Sequence, residues 1–383
     1  MKLNQPIKLP NLSFDIFQKL KYREKKIPIP KDYIAIDIGS FSLKAVEFDS
    51  KRKEITRLLY YPWEQDIIKK NIYQKFDNPE FIKNLCDLLA NNSFVSKNIF
   101  LLCNYENLVM RPMSMPPNIP KHEINQVLDM TLEDEIPYHS DEVYYDFDIA
   151  ERTNESTLVH VYAAETKFVD MSIDLFKKFH YEIYKIGVPS MASWSCLKYN
   201  YTKDLEENKL VINIDLGSSA TLVSIFDSNR LFLYRVISYG GANITRAFEK
   251  DLEITNNEAE HYKCENGLVN IENLENLNQL QNNIFEQIWR SIQYVTSRNR
   301  MYSLKYIFLS GGSANLKGLG HKLKRYLEIQ TQNRQLMKDL EILKIDTFKN
   351  VDVSEEIDKN ELNDIKTAFS NVVGLSLGDV NHE

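Results

Sequence analysis

Apolar and polar residues begin to alternate at Tyr33, running Tyr33-Ile-Ala-Ile-Asp-Ile-Gly-Ser, breaking at a turn, and resuming as Leu43-Lys-Ala-Val-Glu-Phe-Asp. Period-two alternation around a glycine-bearing turn predicts two strands joined as a hairpin. The same design returns at Leu210 as Leu-Val-Ile-Asn-Ile-Asp-Leu-Gly-Ser, a turn, and Thr221-Leu-Val-Ser-Ile-Phe-Asp-Ser. An offset of 178 residues lays Asp37 on Asp215, Gly39 on Gly217, Ser40 on Ser218, Phe48 on Phe226 and Asp49 on Asp227. A repeat at about half the length of a 383-residue chain predicts two related lobes, because solenoid repeats recur every few tens of residues.

Between the two units the pattern predicts a helix over 78–90, a strand entering a separate segment over 99–110, a helix over 121–135, strands over 143–149 and 158–164, and a helix over 169–180. The expected organisation is a first lobe of residues 31–98 and 169–204, an inserted α+β subdomain of 99–168, and a second lobe of 205–383 that is mainly helical over 243–300. Asn283 to Arg298 is the longest apolar-periodic piece of that stretch, and a buried strand follows at Tyr306 to Leu309. Residues 324–364, polar and rich in Lys, Glu and Asn, are assigned helices and a strand.

Composition narrows the class without changing this outline. Residues 1–30 form a basic extension, with seven Lys or Arg against Asp15 and Glu24, and Phe14, Ile16, Phe17 and Leu20 on one face of a short helix. It reads as an extension packed on the body or frayed, or as a basic amphipathic contact with a membrane face or a partner. No run approaches the roughly 20 apolar residues of a membrane span, and the chain lacks the apolar core of a signal peptide, so a cytoplasmic protein is expected. The net charge of −7 excludes a protein built to coat nucleic acid. Cys86, Cys103, Cys196 and Cys264 stand far apart and read as reduced thiols rather than metal ligands.

Glycine is scarce, at twelve residues, so its placement is informative. Ten of the twelve fall in five groups: Gly39; Gly217; Gly240 and Gly241; Gly311, Gly312, Gly318 and Gly320; Gly374 and Gly378. Each hairpin carries an aspartate, a glycine and hydroxyls: Asp37, Gly39, Ser40 and Ser42, with Lys44 just beyond, and Asp215, Gly217, Ser218 and Ser219. Turn N–H groups and hydroxyls suit polyphosphate oxygens, and the two aspartates suit a magnesium ion held through water. A third element, Ile307-Phe-Leu-Ser-Gly-Gly-Ser, sets a buried strand against Gly311, Gly312 and Ser313 and a helix start, where backbone can lie flat against a nucleoside. The combination predicts a nucleoside polyphosphate and Mg between the lobes.

The order of phosphate hairpin, crossover, second phosphate hairpin and Gly-Gly loop resembles the actin, sugar-kinase and DnaK-like chaperone superfamily, a bilobal α/β fold of two duplicated ribonuclease-H-like lobes. Within it the chain is most similar to the PilM family, the actin-like inner-membrane assembly proteins of type IV pili. The likeness rests on Val109-Met-Arg-Pro-Met-Ser-Met-Pro, on Leu132-Glu-Asp-Glu-Ile-Pro-Tyr-His-Ser-Asp-Glu-Val and on Leu233-Tyr-Arg-Val-Ile-Ser-Tyr-Gly-Gly-Ala-Asn-Ile-Thr, with Arg235 included. It also rests on Glu258-Ala-Glu-His-Tyr-Lys, where the resemblance implies that Glu260 faces ribose hydroxyls and Lys263 flanks the nucleoside.

The resemblance further implies that the nucleotide is ATP and that the protein is a cytoplasmic scaffold, peripheral at the inner membrane. It would bind the cytoplasmic N-terminal tail of a PilN-like inner-membrane protein, through about residues 99–168, and link it to pilus motor ATPases. An FtsA-like cell-division protein and a small-molecule kinase of the same superfamily are the alternative readings. Where acidic residues are common in the family's first crossover, this chain has Ile186-Gly-Val-Pro-Ser-Met-Ala, with Gly187 and Pro189 at those positions. No residue is assigned to activate an attacking water, so weak or absent ATP turnover is expected.

Overall fold

A computed structural model describes residues 29–378 apart from 65–70, 203–204, 206–208, 228–229, 270, 299–302, 332–336 and 338. The basic extension expected over 1–30 therefore lies, but for its last two residues, outside the described residues. The chain first lays down β1 (Asp32–Ile38), β2 (Ser42–Asp49) and β3 (Glu54–Pro62) as an antiparallel meander. Helices α1 (Ile72–Phe76) and α2 (Pro79–Asn91) then lead to β4 (Asn98–Leu102), which runs parallel to β1. A separate three-stranded sheet, ordered β5-β7-β6, follows from β5 (Leu108–Met115), α3 (Lys121–Glu135), β6 (Val143–Arg152) and β7 (Thr157–Glu165). Helix α4 (Thr166–Lys178), strand β8 (Glu182–Gly187) and helix α5 (Pro189–Tyr201) return to the body.

The second pass repeats the first: a meander of β9 (Lys209–Leu216), β10 (Thr221–Phe226) and β11 (Leu231–Ile237), then α6 (Gly241–Leu252), α7 (Asn256–Asn266) and α8 (Glu275–Arg298). Strand β12 (Ser303–Ser310), helix α9 (Leu319–Gln330) and strand β13 (Glu341–Lys344) close that sheet. The chain ends in β14 (Asp352–Val353), α10 (Lys359–Ile365) and α11 (Ser370–Leu377). The sheet orders are β14-β3-β2-β1-β4-β8 and β11-β10-β9-β12-β13, so without β14 the two lobes share one topology, as the repeat predicts.

Burial explains the central strands. In β1, Tyr33, Ile34, Ala35 and Ile36 are fully buried, as expected of a strand paired on both edges and covered on both faces. The cores of the two lobes are not independent. Trp194 on α5 stacks on Phe226 of β10 with centroids 4.5 Å apart, and Tyr201 packs on Phe308 of β12.

Two boundaries differ from the sequence reading. The strand expected over 99–110 is two strands: β4 belongs to the main sheet, and a 3-10 turn over Tyr105–Asn107 separates it from β5. The Asn104 side chain accepts from the Glu106 N–H and caps that turn, so the insertion begins after Leu102 rather than at 99. The end of the chain does not stay with the second lobe either. β14 pairs with β3, and α11 lies on α5 and β1.

Small residues permit that crossing. A Cβ at Gly374 would stand 1.8 Å from the Ala192 carbonyl oxygen, and one at Gly187 would stand 2.2 Å from Leu375 Cδ1. Helix α11 is buried on every face, which is why its sequence, Ser-Asn-Val-Val-Gly-Leu-Ser-Leu, shows no polar stripe. Replacing Gly374 by leucine should cost about 3 kcal/mol or more through overpacking, lowering the urea midpoint without changing the nature of the unfolded state. A wild-type midpoint for Gly374→Leu would contradict this account of the helix crossing.

Candidate functional site

Both hairpins close in the same way. The Gly39 N–H donates to the Ser42 carbonyl at 3.0 Å, and the Gly217 N–H donates to the Ala220 carbonyl at 3.0 Å. The 178-residue repeat thus extends to an individual hydrogen bond. Ser40 and, in the second copy, Ser218 and Ser219 fall in the turns, beyond the paired strand residues, while Ser42 is buried at the start of β2. Backbone N–H groups in such turns are the donors that cradle anions.

Asp37 sits opposite Lys44 in the ladder, and Lys44 Nζ lies 3.0 Å from its carboxylate. Burial works against the Lys44 charge, but the ion pair and hydrogen bond to Asp37 outweigh it and hold the ammonium above its ordinary pKa. Asp215, at the matching position of the second lobe, accepts from Asn371 Nδ2 at 2.6 Å. Burial pushes its pKa up to about 6, with Asp37 adding to the rise while the Asn371 hydrogen bond and Lys44 oppose it. The Asp37 charge on the first hairpin is thus felt at Asp215 on the second.

The glycine groups converge on this point. Gly311 has φ +86, and a Cβ there would lie 2.3 Å from Asp215 Oδ1 and 2.5 Å from the Leu216 carbonyl oxygen. Only glycine tolerates both that backbone and that approach. Gly240 and Gly241 sit against the second hairpin, where the Gly241 N–H donates to Gly217 O and the Ala242 N–H to Ser218 O, both at 2.9 Å. A Cβ at Gly241 would lie 2.3 Å from Ser313 Oγ, so the turn, the start of α6 and the loop after β12 form one cluster. Gly312 faces open space, with nothing within 4 Å of a Cβ built on it.

Glu260 and Lys263 lie one turn apart on α7, linked at 2.6 Å. Lys263 is buried and also donates to Thr245 Oγ1 at 2.9 Å and to the Gly241 carbonyl at 3.3 Å, tying α7 to the start of α6. Glu260 is the more exposed of the two, its side chain 37% accessible against 8% for Lys263. The outward group at this corner is thus the carboxylate.

Several residues at the site carry no sequence signal that spacing could detect. Asn371 arrives from α11 at the far end of the chain, and the Thr367 carbonyl receives the Gly311 N–H at 2.7 Å. Lys75 and Trp63 both donate to the Gly39 carbonyl at 3.0 Å. The Tyr105 and Ser219 hydroxyls lie 3.0 Å apart, bridging the turn after β4 to the second hairpin. Asn371 Oδ1 is buried without a partner beside Asp215, one polar atom more than the protein alone satisfies.

These residues fit a nucleoside polyphosphate with magnesium. Two anion-receptive turns, a cation at Lys44, glycine backbone facing open space at Gly312 and one carboxylate from each hairpin strand supply the donor set. Among the described residues no three His, Cys, Asp or Glu gather at metal-ligand spacing, so an ion here would take most of its ligands from water and phosphate, which suits magnesium. At the crossover, Gly187 ends β8 and Pro189 opens α5, with no carboxylate at either position.

The raised Asp215 pKa has a stability consequence. A carboxyl that titrates near 6 when folded and at 3.8 when unfolded binds more protons in the folded state between those values, so its contribution declines as pH rises from about 4 to 6 and the loss is complete above that. Asp215→Asn should stabilise the ligand-free protein at pH 7 by up to about 3 kcal/mol and flatten that part of the pH profile. Chemical denaturation of both proteins at pH 4.5 and 7 checks it, and a destabilised Asp215→Asn at pH 7 would contradict it.

Comparison with known proteins bears on the fold and the family. The chain has the fold of a chain in a reported structure, "PilM-PilN type IV pilus biogenesis complex", at 17% identity, over 92% of this chain and 100% of that one, with a TM-score of 0.74. Lower TM-scores relate it to the ethanolamine utilization protein EutJ from Carboxydothermus hydrogenoformans (11% identity, 92% of this chain and 91% of that one, 0.48) and to MreB5 of Spiroplasma citri bound to ADP (12%, 91% and 96%, 0.46). The model of one family, type IV pilus assembly protein PilM, matches residues 35–380, and the chain belongs to that family.

Proposed function

We propose that the protein is an ATP-binding scaffold of type IV pilus assembly, holding ATP and magnesium between its lobes and binding the cytoplasmic tail of a PilN-like inner-membrane protein. The observation that carries the nucleotide half is the recurrence of one turn hydrogen bond, one aspartate and one glycine in both lobes, with the Asp37 charge felt at the buried Asp215. Lys44, Gly39, Ser40, Ser42, Gly217, Ser218, Ser219, Gly311, Gly312 and Ser313 line the phosphate end. Glu260 stands at the nucleoside end. Bound nucleotide spans parts from both lobes and stabilises their arrangement by mass action, whether or not it is hydrolysed.

Family membership and the likeness to a chain from a PilM–PilN complex support the partner half. The three-stranded sheet offers a surface suited to it. One face is covered by α3 through Ile124, Leu128 and Leu132. The alternate residues of the other face include Asp146 and Asp148 on β6 and Tyr162 on β7, turned towards the body and partly accessible at the aspartates. A short tail carrying basic or amide groups matches that chemistry. Among the described residues no helix is long and apolar enough to cross a membrane, so attachment at the inner membrane would come through the partner, and the link to pilus motor ATPases through the same assembly.

Adding ATP and magnesium should raise the melting temperature of the wild-type protein, by about 2.7 kcal/mol of stabilisation at a hundredfold excess over Kd. Asp215→Ala should show no rise. A wild-type melting temperature indifferent to ATP-Mg would contradict the nucleotide reading. For the partner, a peptide of the PilN-like tail should bind in fluorescence anisotropy, and Asp146→Lys/Asp148→Lys should weaken it tenfold or more. Undiminished binding would move the docking surface elsewhere.

A further inference from the structure

The first hairpin is held from behind by a lysine that the nucleotide reading does not use. Lys75, on α1, is 2% exposed, and its Nζ donates to the Gly39 carbonyl at 3.0 Å and to the Ser40 carbonyl at 3.4 Å. It lies 5.4 Å from the centre of the Trp63 ring, whose own N–H donates to the same Gly39 oxygen. Among the described residues no carboxylate stands within ion-pair distance of it. The charged groups around it are Glu106 on the turn after β4, Asp37 on β1 and Lys44 on β2.

A buried cation with no counterion among the described residues is expensive, and burial pulls the Lys75 pKa down to about 8. Proteins retain such a group where an anion arrives to complete it. An ammonium has three N–H donors, and the two carbonyls occupy two of them.

We propose that Lys75 is a phosphate-binding residue of the nucleotide site, fixing the first hairpin and supplying a second cation, beside Lys44, to a polyphosphate anion. This rests on the nucleotide reading above. It predicts that Lys75 contributes to affinity for the phosphate chain and not for the nucleoside.

Isothermal titration of the full chain with ATP-Mg and with adenosine, at pH 7 and pH 9, tests it on wild type, Lys75→Arg and Lys75→Met. Lys75→Met should bind ATP at least tenfold more weakly with adenosine affinity unchanged. Wild-type ATP affinity should fall as pH rises through about 8, where the free protein's ammonium loses its proton. Lys75→Arg, charged throughout, should bind ATP without that fall, which a purely structural clip would not produce. If wild type binds neither ligand, the nucleotide reading fails and this inference with it. If wild type binds ATP and Lys75→Met matches it within twofold, or loses ATP and adenosine equally, this inference alone is overturned. Should Lys75→Met not fold, a wild-type ATP affinity equal at both pH values overturns it instead.

Discussion

The Asp215 carboxylate, set where the two lobes meet, is the constraint on which the other features depend. Burial disfavours its charge, and the surroundings are arranged to keep it in place nonetheless: an amide from Asn371 at 2.6 Å, a glycine at 311 because any Cβ would displace it, and Lys44 across the gap. Asn371 reaches that position only because α11 crosses α5 at Gly374, where a side chain would strike the Ala192 carbonyl. The end of the chain is thereby committed to the first lobe while serving a residue of the second. A buried aspartate with its pKa raised in this way is the kind of group on which the proposed nucleotide site is built.

How much of this is legible in the sequence follows from the range of the interaction concerned. The repeat is legible because period-two alternation and an Asp-x-Gly-Ser turn are local, and one register shift of 178 residues aligns them. The helices over 121–135 and 283–298 and the strand at 306–309 carry local periodicity and stand where expected. The strand read over 99–110 fails because apolar residues continue through Leu108, Val109 and Met110, while the break lies in a turn capped by Asn104. Apolar content marks burial, and it does not say which sheet a strand joins.

The residues that spacing misses are those brought in by tertiary structure. Asn371 and Thr367 sit more than 150 residues from Asp215, in a stretch whose pattern reports only burial. Lys75 has the local look of an exposed helix lysine, yet α1 turns it beneath the hairpin. The Lys263 side chain, which the resemblance sets beside a nucleoside, is tied to α6 through Thr245 and the Gly241 carbonyl. In each case the neighbour that decides the role is distant in sequence.

Under the proposed function the molecule holds a nucleotide between its lobes. The two turns, Lys44 and one aspartate per hairpin are what that reading draws on, and the crossover carries Gly187, Val188 and Pro189 between β8 and α5. The central claim is geometric, and the most direct measurement is a crystal structure grown with a non-hydrolysable ATP analogue and manganese. The account predicts phosphate oxygens within hydrogen-bond distance of both hairpin turns, and an anomalous manganese peak between Asp37 and Asp215. Nucleotide bound outside this cleft, or a metal peak remote from both aspartates, would contradict it.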